Sequence, residues 1–119
     1  MKQILVADDS EVITTLLTTA LETRGYEVTV ATDGVEAHDL GLEREYDLAI
    51  LDLLMPGLLG LEVIDKWRAD GVETPVIVLT GLDDDRTVVE SLERSGVDFM
   101  RKPFRIAELL ARVKQQSNS

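Results

Sequence analysis

Short apolar runs that end abruptly in polar side chains recur along this sequence. The clearest is residues 48–51, apolar at every position, which leads directly into Asp52. A strand that is apolar at every position has both faces buried, which is typical of a parallel sheet covered by helices. We therefore expect a buried parallel sheet with polar groups at its strand ends. Runs of the same kind are residues 4–7 before Asp8 and Asp9 and residues 76–79 before Thr80 and Gly81, and a shorter run that includes Asp98, residues 97–100, comes shortly before Lys102.

The segments between these runs carry apolar residues at helical spacing. Five strands alternating with five helices predict an α/β fold, a doubly wound parallel sheet in one domain that spans residues 1–119. Residues 115–119 are predicted to form a polar tail or the start of a linker. The predicted helices begin after Ser10, after Asp33, at Gly60, after Asp83 (ending near Ser95) and near Arg105, and the second strand covers residues 26–31.

The carboxyl ends of parallel strands share one edge of the sheet, where open α/β proteins bind their ligands. That edge would collect three carboxylates (Asp8, Asp9 and Asp52), the hydroxyl of Thr80 and the ammonium of Lys102. Crowded carboxylates repel one another unless a cation intervenes, and oxygen ligands without His or Cys suit Mg²⁺. A carboxylate can also attack phosphorus and hold the phosphoryl group as an acyl phosphate. The pattern therefore predicts magnesium-dependent phosphoryl chemistry at this edge.

Charge and composition exclude several classes of function. The formal net charge of −11 argues against direct binding to nucleic acid or to an anionic membrane, and is compatible with a basic protein partner or a cation. The absence of Cys excludes disulfides and thiolate metal sites, and the single histidine, His38, cannot build a zinc site alone. Because there is no apolar run of ~20 residues and no signal-peptide pattern, we expect a cytoplasmic protein.

Taken together, these residues resemble the receiver domain of two-component response regulators. The resemblance covers essentially the whole chain, with the motifs in the family's order, and it implies a flavodoxin-like strand order of 2-1-3-4-5. It also implies a phosphorylation-activated switch rather than a metabolic enzyme, catalysing only its own phosphorylation and dephosphorylation. The matching segments are residues 6–10 (Val-Ala-Asp-Asp-Ser), 52–57 (Asp-Leu-Leu-Met-Pro-Gly), 79–81 (Leu-Thr-Gly) and 102–104 (Lys-Pro-Phe).

The resemblance assigns roles to the acidic residues. Asp52 would be the phosphoacceptor, receiving the phosphoryl group from a sensor histidine kinase or a histidine phosphotransfer protein. Asp9, Asp52 and the backbone carbonyl of Leu54 would bind Mg²⁺. Asp8 would act on the metal through a bound water.

The resemblance also assigns roles to the residues around the phosphoacceptor. Lys102 would pair with the acceptor carboxylate at rest and with the phosphoryl group afterwards, and the peptide bond between Lys102 and Pro103 is expected to be cis. Thr80 would move toward the phosphoryl group, Phe99 would turn inward, and the backbone N–H of Gly81 would contact a phosphoryl oxygen. The face formed by the fourth predicted helix, the fifth strand and the fifth predicted helix would then change, for a downstream protein target or output domain to recognise.

One departure from the family's pattern lies beside the site. The family usually has an acidic residue before the glycine that opens the third helix, and here that residue is Leu59. Losing this N-cap should cost roughly 0.5–2 kcal/mol. The departure also makes Leu58 and Leu59 a small apolar patch, which we expect to contact a partner or another copy of the chain.

Other functions compatible with this sheet are weaker. A phosphorylation-independent interaction module built on the same fold would not need the intact set of Asp9, Asp52, Thr80 and Lys102. A phosphatase with an aspartyl nucleophile needs a second aspartate two residues later, where Leu54 stands. A flavin carrier needs a hydroxyl-rich phosphate loop after the first strand, where the chain instead has two aspartates that would repel phosphate.

Overall fold

Five parallel strands form one sheet in the order β2-β1-β3-β4-β5 in the computed structural model, which describes residues 1–81, 86, 90, 93 and 97–117. This confirms the predicted order. Strand β1 pairs in parallel with β2 on one edge and with β3 on the other. The strands are β1 (Gln3–Ala7), β2 (Glu27–Ala31), β3 (Leu48–Asp52), β4 (Val76–Thr80) and β5 (Asp98–Arg101).

Four helices are present in the described part of the chain: α1 (Glu11–Thr23), α2 (Gly34–Glu43), α3 (Gly60–Ala69) and the C-terminal helix (Ile106–Ser117). The helix predicted between residues 83 and 95 lies largely outside the described residues. Among the helices that the structure describes, none is both long and apolar enough to cross a membrane.

The C-terminal helix continues further than the sequence predicts. Residues 115–117, expected to begin a polar tail, are helical, and Ser117 is buried. The Lys2 ammonium donates a hydrogen bond to the backbone carbonyl of Ser117. A cation at this end is favourable because the last carbonyls of a helix carry partial negative charge. The contact holds the last turn against the start of β1, which local sequence cannot reveal.

Apolar side chains cover both faces of the sheet. Ile4 and Leu5 are neighbours in β1, both are fully buried, and they belong to opposite hydrophobic clusters. One cluster lies under α2 and α3, where the Trp67 indole is fully buried and donates a hydrogen bond of 3.1 Å to the His38 carbonyl. The other lies under α1 and the C-terminal helix. This two-sided burial is what the apolar runs predicted.

The predicted N-caps Ser10 of α1 and Asp33 of α2 are present, and the predicted loss of the cap at α3 is confirmed. Asp33 accepts a hydrogen bond of 2.8 Å from the backbone N–H of Glu36, which confirms this cap. Leu59, at the N-cap of α3, has no side-chain acceptor, so the first turn lacks the usual cap. The Glu62 carboxylate accepts a hydrogen bond of 2.9 Å from the Leu59 backbone N–H. Only the reciprocal half of a capping box is therefore formed.

Gly60 lets the start of α3 lie directly on the end of β3. A Cβ at this position would be 2.6 Å from the backbone oxygen of Asp52, and the Gly60 N–H donates to the Leu53 carbonyl at 2.9 Å. Backbone atoms cannot move aside as a flexible side chain can. Any larger residue must therefore displace α3 or the end of β3.

Gly60→Ala is accordingly expected to lower the free energy of unfolding by about 1–3 kcal/mol, as overpacked sites do. Helix propensity alone would predict the opposite sign, since Ala is favoured over Gly by about 1 kcal/mol. Urea denaturation measures the difference. Gly25→Ala is the control, because Gly25 has φ of +89° and nothing within 4 Å, so its cost is conformational strain alone, about 1–2 kcal/mol. A Gly60→Ala protein more stable than the parent would contradict the proposed close contact.

Candidate functional site

Four strand ends meet at the carboxyl edge of the sheet. Asp8 directly follows β1, Asp52 ends β3, Thr80 ends β4 and Lys102 directly follows β5. Because the strands are parallel and paired in register, these positions are neighbours although they are far apart in sequence. The convergence that the apolar runs predict is therefore present.

Three carboxylates form a cluster at this edge. Asp8, Asp9 and Asp52 each place a carboxylate oxygen within 4.8 Å of the others. Asp8 and Asp52 are buried, whereas Asp9 is exposed. The backbone N–H of Ser10 donates a hydrogen bond of 2.8 Å to Asp8 Oδ1, which fixes that carboxylate. The arrangement concentrates negative charge in a place that is only partly open to water.

Lys102 brings the positive charge to the cluster. Its Nζ donates a hydrogen bond of 3.0 Å to Asp8 Oδ2 and lies 3.4 Å from Asp52 Oδ1. The ion pair with Asp52 that the resemblance implied is present, and Asp8 is a second and closer partner of Lys102. The Lys102 backbone N–H donates to the Thr80 carbonyl at 2.7 Å, and the peptide bond between Lys102 and Pro103 is cis.

The electrostatics of the cluster appear in two pKa shifts. Burial, and then the neighbouring charge of Asp8, raise the pKa of Asp52 from 3.8 to about 6, although Lys102 and a backbone hydrogen bond from Leu54 oppose this. Burial lowers the pKa of Lys102, but the hydrogen bond to Asp8 and the charge of Asp52 outweigh it, so the net pKa is raised. Lys102 therefore remains charged, whereas the raised pKa of Asp52 means that the ionised form of this carboxylate is destabilised at its position.

The Thr80 hydroxyl has no hydrogen-bond partner within the described parts of the chain, although the residue is fully buried. A buried hydroxyl without a partner usually costs about 1–3 kcal/mol. Such a group at a strand end beside Asp52 can donate a hydrogen bond to an oxygen that arrives at the site. The orphaned hydroxyl is therefore consistent with the predicted phosphoryl contact.

The remaining predicted residues lie near the cluster, and Leu54 contacts it directly through its backbone hydrogen bond to Asp52. Leu54 follows Asp52 by two residues and is half exposed. Gly81 directly follows β4 and is partly buried. Phe99 is partly buried against the cluster under α2 and α3, and its carbonyl accepts a hydrogen bond of 2.9 Å from Arg112. The roles that the resemblance assigns to these three residues stay predictions.

Sequence reasoning missed the direct role of Asp8 in holding Lys102, because it assigned Asp8 to the metal only through water. It also treated Ser10 as a helix cap alone, and the Ser10 backbone N–H was not considered as a donor to Asp8. An Asp two residues before a donor N–H is the local pattern of an Asx-turn. That pattern could have indicated this hydrogen bond.

The donor set fits a divalent cation. Asp8, Asp9 and Asp52 offer hard oxygen ligands within one ion's reach, and the described residues bring no nitrogen or sulfur ligand into that cluster. One or two carboxylates with several retained waters is the usual coordination of Mg²⁺ in proteins. The residues present therefore suit Mg²⁺ better than a transition metal.

Comparisons with known proteins agree with this geometry. The family model of the response regulator receiver domain matches residues 4–114. YkoG, an uncharacterized transcriptional regulatory protein of Bacillus subtilis, is 42% identical over 111 residues, which cover 93% of this chain and 49% of YkoG. PhoP of the same organism, an alkaline phosphatase synthesis transcriptional regulatory protein, is 42% identical over 95% of this chain and 47% of its own. This chain thus spans about half the length of the curated relatives it matches.

Solved structures resemble the whole chain. The receiver domain of the Francisella response regulator 1452 matches with a TM-score of 0.89 and 36% sequence identity, covering 99% of this chain and 98% of that one. The similarity therefore includes every described element of the fold.

Replacing the crowded carboxylate should stabilise the metal-free protein in a pH-dependent manner. A raised folded-state pKa means that the contribution of Asp52 to stability is fully present below 3.8 and is lost as the pH rises through about 6. Asp52→Asn, measured by urea denaturation in EDTA, is therefore expected to gain about 3 kcal/mol over the parent above that range. The gain should disappear in acid. Asp65→Asn, an exposed carboxylate on α3, is the control, and a gain for Asp52→Asn that is equal at all pH values would contradict the argument.

Proposed function

This chain belongs to the response regulator receiver domain family, and from that membership we propose that it is a phosphorylation-activated two-component switch whose phosphoacceptor is Asp52. The proposal is carried by one observation. Two buried carboxylates, Asp8 and Asp52, share one lysine at a sheet edge that also holds an orphaned buried hydroxyl. A solely structural role would favour a neutral, fully paired arrangement there.

The chemical step transfers a phosphoryl group from a histidine nitrogen of the donor to the carboxylate of Asp52. The Asp52 carboxylate attacks the phosphorus of a phosphohistidine on a sensor histidine kinase or a histidine phosphotransfer protein. A P–O bond to Asp52 forms as the P–N bond breaks, and the departing imidazole nitrogen keeps the electron pair and takes up a proton. Attack by water on the acyl phosphate later breaks that P–O bond, releasing inorganic phosphate and restoring the carboxylate.

The residues around Asp52 supply positive charge and hydrogen bonds to the transferred group. Lys102, whose pKa is raised by its acidic neighbours, stays an ammonium ion and would pair with the phosphoryl oxygens. The hydroxyl of Thr80 would donate to another of these oxygens, gaining the partner that it lacks at rest. The Gly81 backbone would contact a third.

Asp9, Asp52 and the backbone carbonyl of Leu54 would hold Mg²⁺, with Asp8 acting through a bound water. When bound, the cation reduces the repulsion between the carboxylates and the incoming phosphoryl oxygens. Asp8 meanwhile keeps Lys102 in place by its 3.0 Å hydrogen bond, so one carboxylate positions the ammonium while the others serve the metal.

Phosphorylation would act as a switch because it adds close to two negative charges at a site already rich in them. It would bias a pre-existing equilibrium between two conformers, with Thr80 and Phe99 changing position and altering the face around β5 and the C-terminal helix. Its readers would be a downstream protein target or the output part of a longer regulator. A phosphorylation-independent interaction module is the alternative, and it gives no role to the orphaned Thr80 hydroxyl.

Acetyl phosphate tests the acceptor directly. With Mg²⁺ present, the intact mass of the parent should increase by one phosphoryl group, while Asp52→Asn should show no increase because an amide is not a nucleophile of this kind. Asp65→Asn, which removes an exposed carboxylate on α3, should be modified like the parent. Equal modification of the parent and Asp52→Asn would place the acceptor elsewhere.

Magnesium binding is expected to raise the melting temperature of the parent, since a ligand that binds only the folded state stabilises it by RT ln(1 + [L]/Kd). Thermal denaturation at rising Mg²⁺ concentration measures this shift. Asp9→Asn should reduce it strongly, because the amide removes the negative charge of one of the proposed metal ligands. Asp65→Asn should retain it. A melting temperature that responds equally in all three proteins would indicate nonspecific ion effects.

A further inference from the structure

An apolar surface borders the candidate site on the side of α2 and α3. We call it the Val35–Leu59 patch, and it consists of Val35, Leu54, Leu58 and Leu59 with the exposed backbone of Gly57. The side chains of Val35, Leu54 and Leu59 are 48%, 51% and 43% exposed. Scattered exposed apolar residues are ordinary on protein surfaces, whereas large contiguous apolar patches mark contact sites.

Close backbone contacts join the start of α2, which carries Val35, to the loop between β3 and α3, which carries the three leucines. A Cβ on Gly57 would lie 3.0 Å from Val35 Cγ2, so the valine side chain packs over the loop between β3 and α3. The Gly34 N–H donates to the Pro56 carbonyl at 3.0 Å, which ties the start of α2 to the same loop. Leu59 and Leu54 each lie one residue from the hydrogen bond that joins α3 to the end of β3.

Leu59 leaves helix α3 less stable than a capping residue at the same position would. It stands at the N-cap of α3, where an Asp or Ser would accept a backbone hydrogen bond and stabilise the helix. The apolar side chain neither caps the helix nor enters the core, since it is 43% exposed. A role outside folding accounts for a leucine at a position that favours a polar residue.

The surroundings of the patch are acidic. Asp33 and Glu36 flank Val35 along the chain, and the Glu62 carboxylate is hydrogen-bonded to the Leu59 backbone. Between sequence positions 25 and 65 the only Lys or Arg is Arg44, which lies at the opposite end of α2. The patch is therefore an apolar surface with a negative border.

The acidic border favours a positively charged partner over a second copy of this chain. A second copy would bring the same acidic border against the first in a symmetric contact, and each chain carries a net charge of −11. We propose that the Val35–Leu59 patch docks a partner protein that presents apolar side chains flanked by Lys or Arg, in the manner of a cationic amphipathic helix. Docking goes beyond the proposed phosphoacceptor function and does not require phosphate on Asp52.

A synthetic helical peptide with a leucine stripe flanked by lysines is the probe, and fluorescence anisotropy at about 0.15 M salt, where long-range charge effects are screened, is the measurement. The unphosphorylated parent should bind it, and a peptide with Glu in place of Lys should not bind. Leu59→Asp should weaken binding about tenfold, as expected for a central contact residue. This variant restores the missing cap, so weaker binding cannot be attributed to unfolding. Leu59→Ser, which caps without adding charge, should weaken binding similarly.

Leu42→Asp is the matched control, because Leu42 is 45% exposed near the other end of α2 and the substitution adds the same charge. Its affinity should stay within about twofold of the parent. Equal effects of Leu42→Asp and Leu59→Asp, or tighter binding by Leu59→Asp, would reduce the interaction to general charge attraction and overturn the proposal. A parent dimer in sedimentation that Leu59→Asp dissociates would instead assign the patch to a second copy. Asp52→Asn should bind the peptide like the parent, so failure of phosphoacceptance would leave this test intact.

Discussion

Repulsion between carboxylates at one edge of a parallel sheet is the constraint on which this protein depends. Asp8 and Asp52 are both buried and share one lysine, so the site holds more negative than positive charge. The raised pKa of Asp52 records that imbalance. A cation or a neutralising partner is the physical remedy, and a phosphoryl group can join the site only where such positive charge is available.

The rest of the fold keeps these charges from moving apart. β1, β3 and β4 are buried on both faces, and closely packed interiors resist displacement. Gly60 allows α3 to lie on the end of β3, and the Lys102 backbone is held by a hydrogen bond to Thr80. A site of crowded like charges thus persists because the apolar clusters on both sides of the sheet hold it together.

The same edge of the molecule is asymmetric. On the side of α2 and α3, carboxylates surround exposed apolar residues, whereas Arg101, Lys102 and Arg105 lie at the end of β5 and in the segment that follows it. A phosphodonor and a docking partner would therefore meet different chemistry around one carboxylate. Phosphate chemistry and partner recognition would therefore occupy neighbouring surfaces that meet at Leu54, whose backbone carbonyl would face the metal while its side chain belongs to the patch.

The strands, their parallel arrangement and the set of groups at their carboxyl ends can be predicted from the order of residues, because buried strands and their polar termini leave a local signature. The resemblance to a family supplied the strand order and the residue roles. Tertiary structure alone decided that Lys102 hydrogen-bonds Asp8 more closely than it approaches Asp52, and that the last helix continues to Ser117 against Lys2. It also decided that Val35 packs over the loop at Gly57. Each of these depends on distances between residues far apart in the chain, and such distances are fixed only when the two sides of the sheet pack.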